Sequence, residues 1–547
     1  MFTEPQNSPS TASLEGRLAE IVALAPTDLE AAARLAAQAK ADGVRAPLVQ
    51  ATLGLAHKRA GRFEEAIAEY GLGLELDPND AAMTTEVGFC LMHLGRRREA
   101  ANVFAAAMKL NPELAAAAFG YGWAAEGVGA LDSAESAFRR ALLLDPDHPD
   151  SLVGLAGLAL RKRDWDTART LSERAAANDP RNTDAPLNLA RVDLGVGDYA
   201  AARERLRQLL AGLDLPGPVR ANAHIHLGDA LDGEGDYQAA FAAYGEGNAE
   251  LRALHADQFE RPGMLRGHEV VRAMAEEFRR TPPAAWVAPA TTATGPARGH
   301  AFLTGFPRSG TTLLEQVIAT HPDMTALGER PVMLEAEREF VSSSGGIERL
   351  AATLGPLLEP FRQSYWRRVR EFGVNPAGKV FVDKHPLATM RLPLMWKMFP
   401  NAKLIFALRD PRDVVLSCFR SSFNMNANMY ELTTLEGAAR LYDAVMSAGE
   451  AYLEQLPIEV LRIRNEDVVD DFDGASRRLC DFLHVDWTPG LRDFAATPRN
   501  IATPSSAQVA RGLSGEGVGH WRHYAPALEP VLPILQPWIE KFGYPAA

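Results

Sequence analysis

Two hydrophobic rhythms divide the chain. Before residue 254, alanine-rich stretches recur at a fixed period; after residue 300, short apolar runs alternate with helix-spaced ones. "AFLTG" (Ala301–Gly305) is an unbroken apolar run of the kind buried as a strand. In "TLLEQVIAT" (Thr312–Thr320), Leu313, Leu314, Val317 and Ile318 share one helical face, and His321-Pro322 ends the helix. "KVFVDK", ending at Lys384, and "KLIFALRDP" (Lys403–Pro411) predict further strands, and "TALGERPVM" follows another. Together these predict an α/β domain on a parallel sheet.

The first half has its own period. Asp77-Pro78, Asn111-Pro112, Asp145-Pro146 and Asp179-Pro180 recur every 34 residues. Gly61, Gly95, Gly129 and Gly197 keep the same phase, with Arg163 in place of one glycine. Five positions after each comes Ala66, Ala100, Ala134, Ala168 or Ala202. A further unit carries Gly235 and Ala240. Glycine suits a turn between antiparallel helices, alanine permits close approach, and Asx-Pro stops one hairpin and starts the next. Period and residues together resemble tetratricopeptide repeats, which implies an all-α superhelix with a groove that docks polypeptides. The expected layout is a degenerate helical cap over 1–46, the repeat array over 47–254, a helix and Ala/Thr/Pro/Gly-rich linker over 255–299, and a second domain over 300–547.

Composition narrows the classes. A net charge of -13 excludes a general polyanion binder, though a local basic pocket remains compatible with it. Cys90, Cys418 and Cys480 match no metal or disulfide spacing, which suits a reducing compartment. No signal pattern opens the sequence and no apolar run nears the roughly 20 residues of a membrane span, so a cytoplasmic protein is expected.

The chemistry gathers at "GFPRSGTT". Gly305 and Gly310 have the spacing of a nucleotide-triphosphate loop, yet Thr311 stands where its lysine belongs. Backbone N–H groups of Ser309–Thr312 at a helix start would still cradle an oxyanion. "KLIFALRDP" ends in Arg409, where an NTPase would place a magnesium-binding acid. Ser417 follows eight residues later. A cation there suggests a second anionic group on the same ligand, as in a nucleotide charged on its 5′ and 3′ sides.

With those residues in view, "GFPRSGTTLLEQVIATHP" resembles the 5′-phosphosulfate loop of sulfotransferases, and "FPNAKLIFALRDPRDVVLSCF" their 3′-phosphate motif. The order P-R-S-G-T-T, G-E, Lys-x-Pro, R-D-P-R-x-V-V-x-S is similar to the protein-tyrosine sulfotransferase type, from Gly299 to Tyr544. The resemblance implies a P-loop-like fold, 3′-phosphoadenylyl sulfate (PAPS) as donor, and no metal. It implies that Arg308, Ser309, Gly310, Thr311 and Thr312 hold the phosphosulfate, with Arg308 also stabilising the transferring group. It makes Glu329 the general base and Lys384 the ligand of the bridging oxygen; Arg409, Ser417 and Ser505 would hold the nucleotide. His520 stands before Trp521 where the family often has lysine, so Arg511 or Arg522 is an alternative contact. Asn465 and Ser421 replace an expected tyrosine and arginine.

Rival readings fall on neighbouring residues. His321 reads as a helix terminator and His385 as part of the Lys-x-Pro turn, so Glu329 is preferred as base. Asp383 reads as structural, Glu335, Glu337 and Glu339 as a solvated face, and Trp396, Trp487 and Trp521 as core. The expected activity is sulfation of an acceptor hydroxyl, a tyrosine of a polypeptide docked by the array. A glycan or small-molecule hydroxyl, or a non-catalytic scaffold, are the alternatives; Thr311 speaks against a kinase.

Overall fold

The computed structural model describes residues 11–212, 215–287, 295–495, 513, 515 and 517–546. The chain divides into two compact units, Met1–Gly195 and Val196–Ala547.

The first unit is a run of helix pairs from Thr11–Leu24 to Asp184–Val196. Ala66, Ala100, Ala134 and Ala168 are fully buried between paired helices. Gly61, Gly95 and Gly129 adopt positive φ in the turns, and Arg163 takes the same left-handed conformation at φ 59° without a glycine's freedom. Small residues also make room for rings: a Cβ on Gly54 would lie 2.6 Å from the Tyr70 ring. Asp80 and Asp164 cap their helices by accepting from the Met83 and Thr167 N–H groups. Local chemistry thus shapes these turns and helix starts.

The second unit begins inside the array. It holds the last helix pair, Gly217–Gly233 and Tyr237–Phe259, a further helix Gly267–Arg280, and a five-stranded sheet. The strands are β1 (Gly299–Thr304), β2 (Met324–Gly328), β3 (Val380–Lys384), β4 (Lys403–Leu408) and β5 (Val460–Arg464). All neighbours pair in parallel in the order β2-β3-β1-β4-β5. Both faces are covered, as parallel sheets require. Ala301, Leu303, Val382 and Ile405 pack on one side with the helices Thr311–Thr320 and Phe472–Leu483. Phe302, Phe381, Leu404 and Phe406 pack on the other with the long helix Leu435–Gln455. Successive strands leave β1 in opposite directions, so a crevice forms at its carboxyl end, where such sheets bind ligands. Trp396 and Trp521 are core residues, and half-buried Trp487 donates to Ser476 Oγ at 2.9 Å.

A polar chain crosses this core. His300 Nε2 lies 3.0 Å from the Tyr365 hydroxyl, which donates to Asp383 Oδ2 at 3.0 Å. Burial pushes the Asp383 carboxyl up to about 7, the Tyr365 hydrogen bond opposing it, and pushes His300 down to about 3. A carboxyl raised on folding costs stability as pH climbs from the ordinary carboxylate range toward its folded value, here up to about 4 kcal/mol. Asp383→Asn keeps an oxygen for Tyr365. It should match the parent near pH 4 and exceed it at pH 8, as read from urea midpoints at both.

Candidate active site

Each strand delivers one element of the site at its carboxyl end. After β1, the chain turns sharply at Gly305, whose absent Cβ would stand 2.5 Å from the Ala407 carbonyl oxygen of β4. Thr304 Oγ1 and the Gly305 N–H both donate to the Pro386 carbonyl, at 2.9 and 3.0 Å, and Thr389 Oγ1 donates to the Gly305 carbonyl at 2.9 Å. The loop is thereby fastened to the Lys-x-Pro turn. Arg308 (φ 70°) and Gly310 (φ 90°) are left-handed, a backbone twist that gathers N–H groups into one concavity. A Cβ at Gly310 would meet Asn465 Oδ1 at 2.5 Å, so Asn465, at the end of β5, walls the loop. The helix begins at Thr311, one residue before its predicted start, and its first N–H groups lack intrahelical carbonyls.

Positive charge converges beside the loop. Arg308 Nε donates to Ser417 Oγ at 2.9 Å, and Arg409 Nη1 donates to the Arg308 carbonyl at 3.1 Å. Burial, and then the like charge of Arg409, holds the Arg308 guanidinium down to about 10. Among the described residues, the buried Ser309 Oγ and Arg409 Nε have no hydrogen-bond partner. Two repelling guanidiniums, an unpaired buried hydroxyl and a helix start fit an anionic ligand with more than one charged group.

On the other side, β2–β3 register places Gly328 beside Lys384, and the Glu329 N–H donates to the Lys384 carbonyl at 2.8 Å. This bond holds Glu329 at φ 22°, a sparsely allowed value for a residue with a Cβ. Lys384 Nζ donates to Glu329 Oε1 at 2.6 Å and lies 3.0 Å from Glu315 Oε2. The lysine side chain is 0% exposed, Glu315 11% and Glu329 39%. Burial disfavours the ammonium, but the two carboxylates outweigh it and raise its pKa. Lys384 is charged, and Glu329 is the member open to solvent.

The rival bases are less suited to the role. His321 accepts from the Asp323 N–H at 3.0 Å and faces the Asp486 carbonyl at 2.7 Å, so both ring nitrogens are used. Burial, with Arg391 and Lys384 nearby, pushes His385 down to about 3.

The closing segment is anchored by a residue that sequence reasoning missed. Asp413 accepts from the Gly519 and Trp521 N–H groups at 2.7 and 2.8 Å, while the Arg412 guanidinium lies 3.8 Å from the Trp521 ring centroid. His520 Nε2 pairs with Asp232 Oδ1 at 2.9 Å, which sets its ring toward the helix Gly217–Gly233. Ser505 and Arg511 lie outside the described residues. Arg522 packs along Trp521, and Ser421 Oγ returns to the Ser417 carbonyl at 2.7 Å. Glu315 was also missed; its one signal was a charge within a helix whose neighbours are all apolar or buried. Glu335 and Glu337 are not a solvated face: they pair with Arg368 and Arg391, and the Arg368 hydrogen bond holds Glu335 down to about 2.

Residues 301–489 match the model of the sulfotransferase family. Tetratricopeptide-repeat models match residues 49–80, 91–142, 124–183, 159–214 and 187–249. An uncharacterised protein of Aquifex aeolicus is 25% identical over 358 residues, 62% of this chain and 44% of that protein. Protein-tyrosine sulfotransferase 1 of Danio rerio is 23% identical over 256 residues, 44% of this chain and 71% of that protein. The solved sulfotransferase domain from the curacin biosynthetic pathway aligns at 20% identity with a TM-score of 0.34, over 46% of this chain and 100% of that one. The stretch 301–489 is a sulfotransferase-family domain, and the matched helix pairs between residues 49 and 249 are tetratricopeptide repeats.

Proposed function

We propose that the chain transfers a sulfuryl group from PAPS to an acceptor hydroxyl, a tyrosine of a polypeptide held by the repeats. One observation carries this: the Glu329–Lys384 pair lies on one side of the phosphate loop and Arg409 with Ser417 on the other. Arg308, Ser309, Gly310, Thr311 and Thr312 would hold the 5′-phosphosulfate through N–H and hydroxyl donors. Arg409 and Ser417 would hold the 3′-phosphate. The family's donor supplies a sulfuryl group on a good leaving group.

The residues then divide the work. Glu329 takes the acceptor hydroxyl's proton as its oxygen bonds to sulfur. The bond from sulfur to the bridging oxygen breaks, and Lys384 hydrogen-bonds that oxygen as it leaves with the bisphosphate. Arg308 and the loop amides stabilise negative charge around sulfur. The curated protein-tyrosine sulfotransferases among the relatives favour a tyrosine acceptor, and the repeats favour a polypeptide. Three buried free cysteines suit a reducing, cytoplasmic setting.

Calorimetry with 3′-phosphoadenosine 5′-phosphate should show one site per chain, without magnesium, while magnesium-ATP gives none. The opposite pattern would end the donor proposal. Labelled donor with tyrosine peptides and oligosaccharides tests the acceptor; label on sugar alone would overturn the tyrosine choice.

A further inference from the structure

We infer that Glu315 is a positioning residue, the counter-ion that keeps Lys384 paired when its ammonium turns from Glu329 to the leaving oxygen. This builds on the donor proposed above. Lys384 has three N–H donors and its side chain is wholly buried, so it cannot shed a carboxylate partner without another at hand. Glu329 must leave it, at least in part, to receive the acceptor's proton. Glu329 is the exposed partner at a strained φ; Glu315 is the enclosed one.

The surroundings are shaped for Glu315. It projects from the helix whose start forms the phosphate loop, so one rigid element sets both the donor cradle and the counter-charge. Gly328 leaves the space it occupies: a Cβ there would lie 2.5 Å from Glu315 Oε1. Any side chain at the end of β2 would push the carboxylate off Lys384. The remaining titratable groups do not substitute for it. Asp383 is turned to Tyr365, Glu337 is paired with Arg391, and His385 is neutral beside Arg391.

The division of labour has a kinetic signature. Without the Glu315 charge, Glu329 becomes the only counter-ion of Lys384 and loses a like-charged neighbour, so its carboxylate ionises more easily and is a weaker base. Glu315→Gln preserves shape and removes only charge. It should lower kcat by about 10–100-fold and move the acid limb of the kcat–pH profile down by about one pH unit. Calorimetric binding of 3′-phosphoadenosine 5′-phosphate should stay within about threefold, because no donor contact is lost. If Glu315→Gln does not fold, Gly328→Ala displaces the same carboxylate and should move the same limb. An unmoved limb with parental kcat, in whichever variant folds, overturns the role. Failure of the parent to bind the bisphosphate refutes the donor proposal instead, and the two failures are distinguishable.

Discussion

Lys384→Met should reduce transfer at saturating substrates by about 10²–10³-fold, the loss typical when one preorganised donor to developing charge is removed. Methionine fills the apolar channel of the lysine stem, so packing survives and only the ammonium goes. Two consequences follow from one geometry. The leaving oxygen of the proposed reaction would lose the ammonium that hydrogen-bonds it. Glu315 and Glu329, both within 3.0 Å of Nζ in the parent, are left facing each other. Losing one partner of a buried pair costs about 3–5 kcal/mol, so the variant should also unfold at lower urea. Lys384→Arg should not restore the rate, since a planar fork does not fit a site closed around a compact charge. Single-turnover transfer rates check the first consequence and urea midpoints the second. A rate within about tenfold of the parent would make Lys384 a structural cation and remove it from the chemistry.

The division between what was legible in sequence and what was not follows the range of the forces. The loop after β1 was legible because its requirements are local: a strand end, a tight turn and donors at a helix start lie within ten residues. The repeat period was legible for the same reason, most hairpins being set by their own glycine, alanine and Asx-Pro. Pairings across the sheet were not. Glu315 meets Lys384 only because β2 and β3 pair with Gly328 beside Lys384. Asp413 gives no hint that it holds the N–H groups of Gly519 and Trp521, over a hundred residues away. Glu335 and Glu337 carried the spacing of a solvated face, and two arginines from other elements override it. The Ala/Thr/Pro/Gly-rich composition over 284–299 predicts a linker, yet Trp286 and Ala297 within it are buried in the core.

A chain beginning at Gly299, the start of β1, should fail to fold, whereas one beginning at Val196 should unfold in a single cooperative step and bind the bisphosphate. The family match starts at residue 301, so the shorter chain retains every proposed donor contact. What it loses is core. The helix Gly267–Arg280 buries Val271, Met274 and Phe278 against the long helix Leu435–Gln455, and the Phe278 ring lies 4.8 Å from those of Trp286 and Tyr452. At about 1.5–3 kcal/mol for each large apolar side chain, the three are worth about 5–9 kcal/mol. Whole domains are stable by only about 5–15 kcal/mol. The last repeat pair adds polar losses. Asp232 pairs with Arg420 at 2.8 Å and His520 at 2.9 Å and accepts from Tyr524, and Asn248 donates to the Phe419 carbonyl at 2.7 Å. Phe419 itself packs among Ile225, Leu231 and Tyr244. Removing the pair strips Arg420 of its ion-pair partner Asp232 and of nearby Asp229, one turn beyond the Ser417 that Arg308 holds. Circular dichroism during urea unfolding separates the outcomes. A cooperative transition from the Gly299 chain would mean that the last repeats merely adjoin the transferase, and a non-cooperative Val196 chain would mean that the array before them is needed as well.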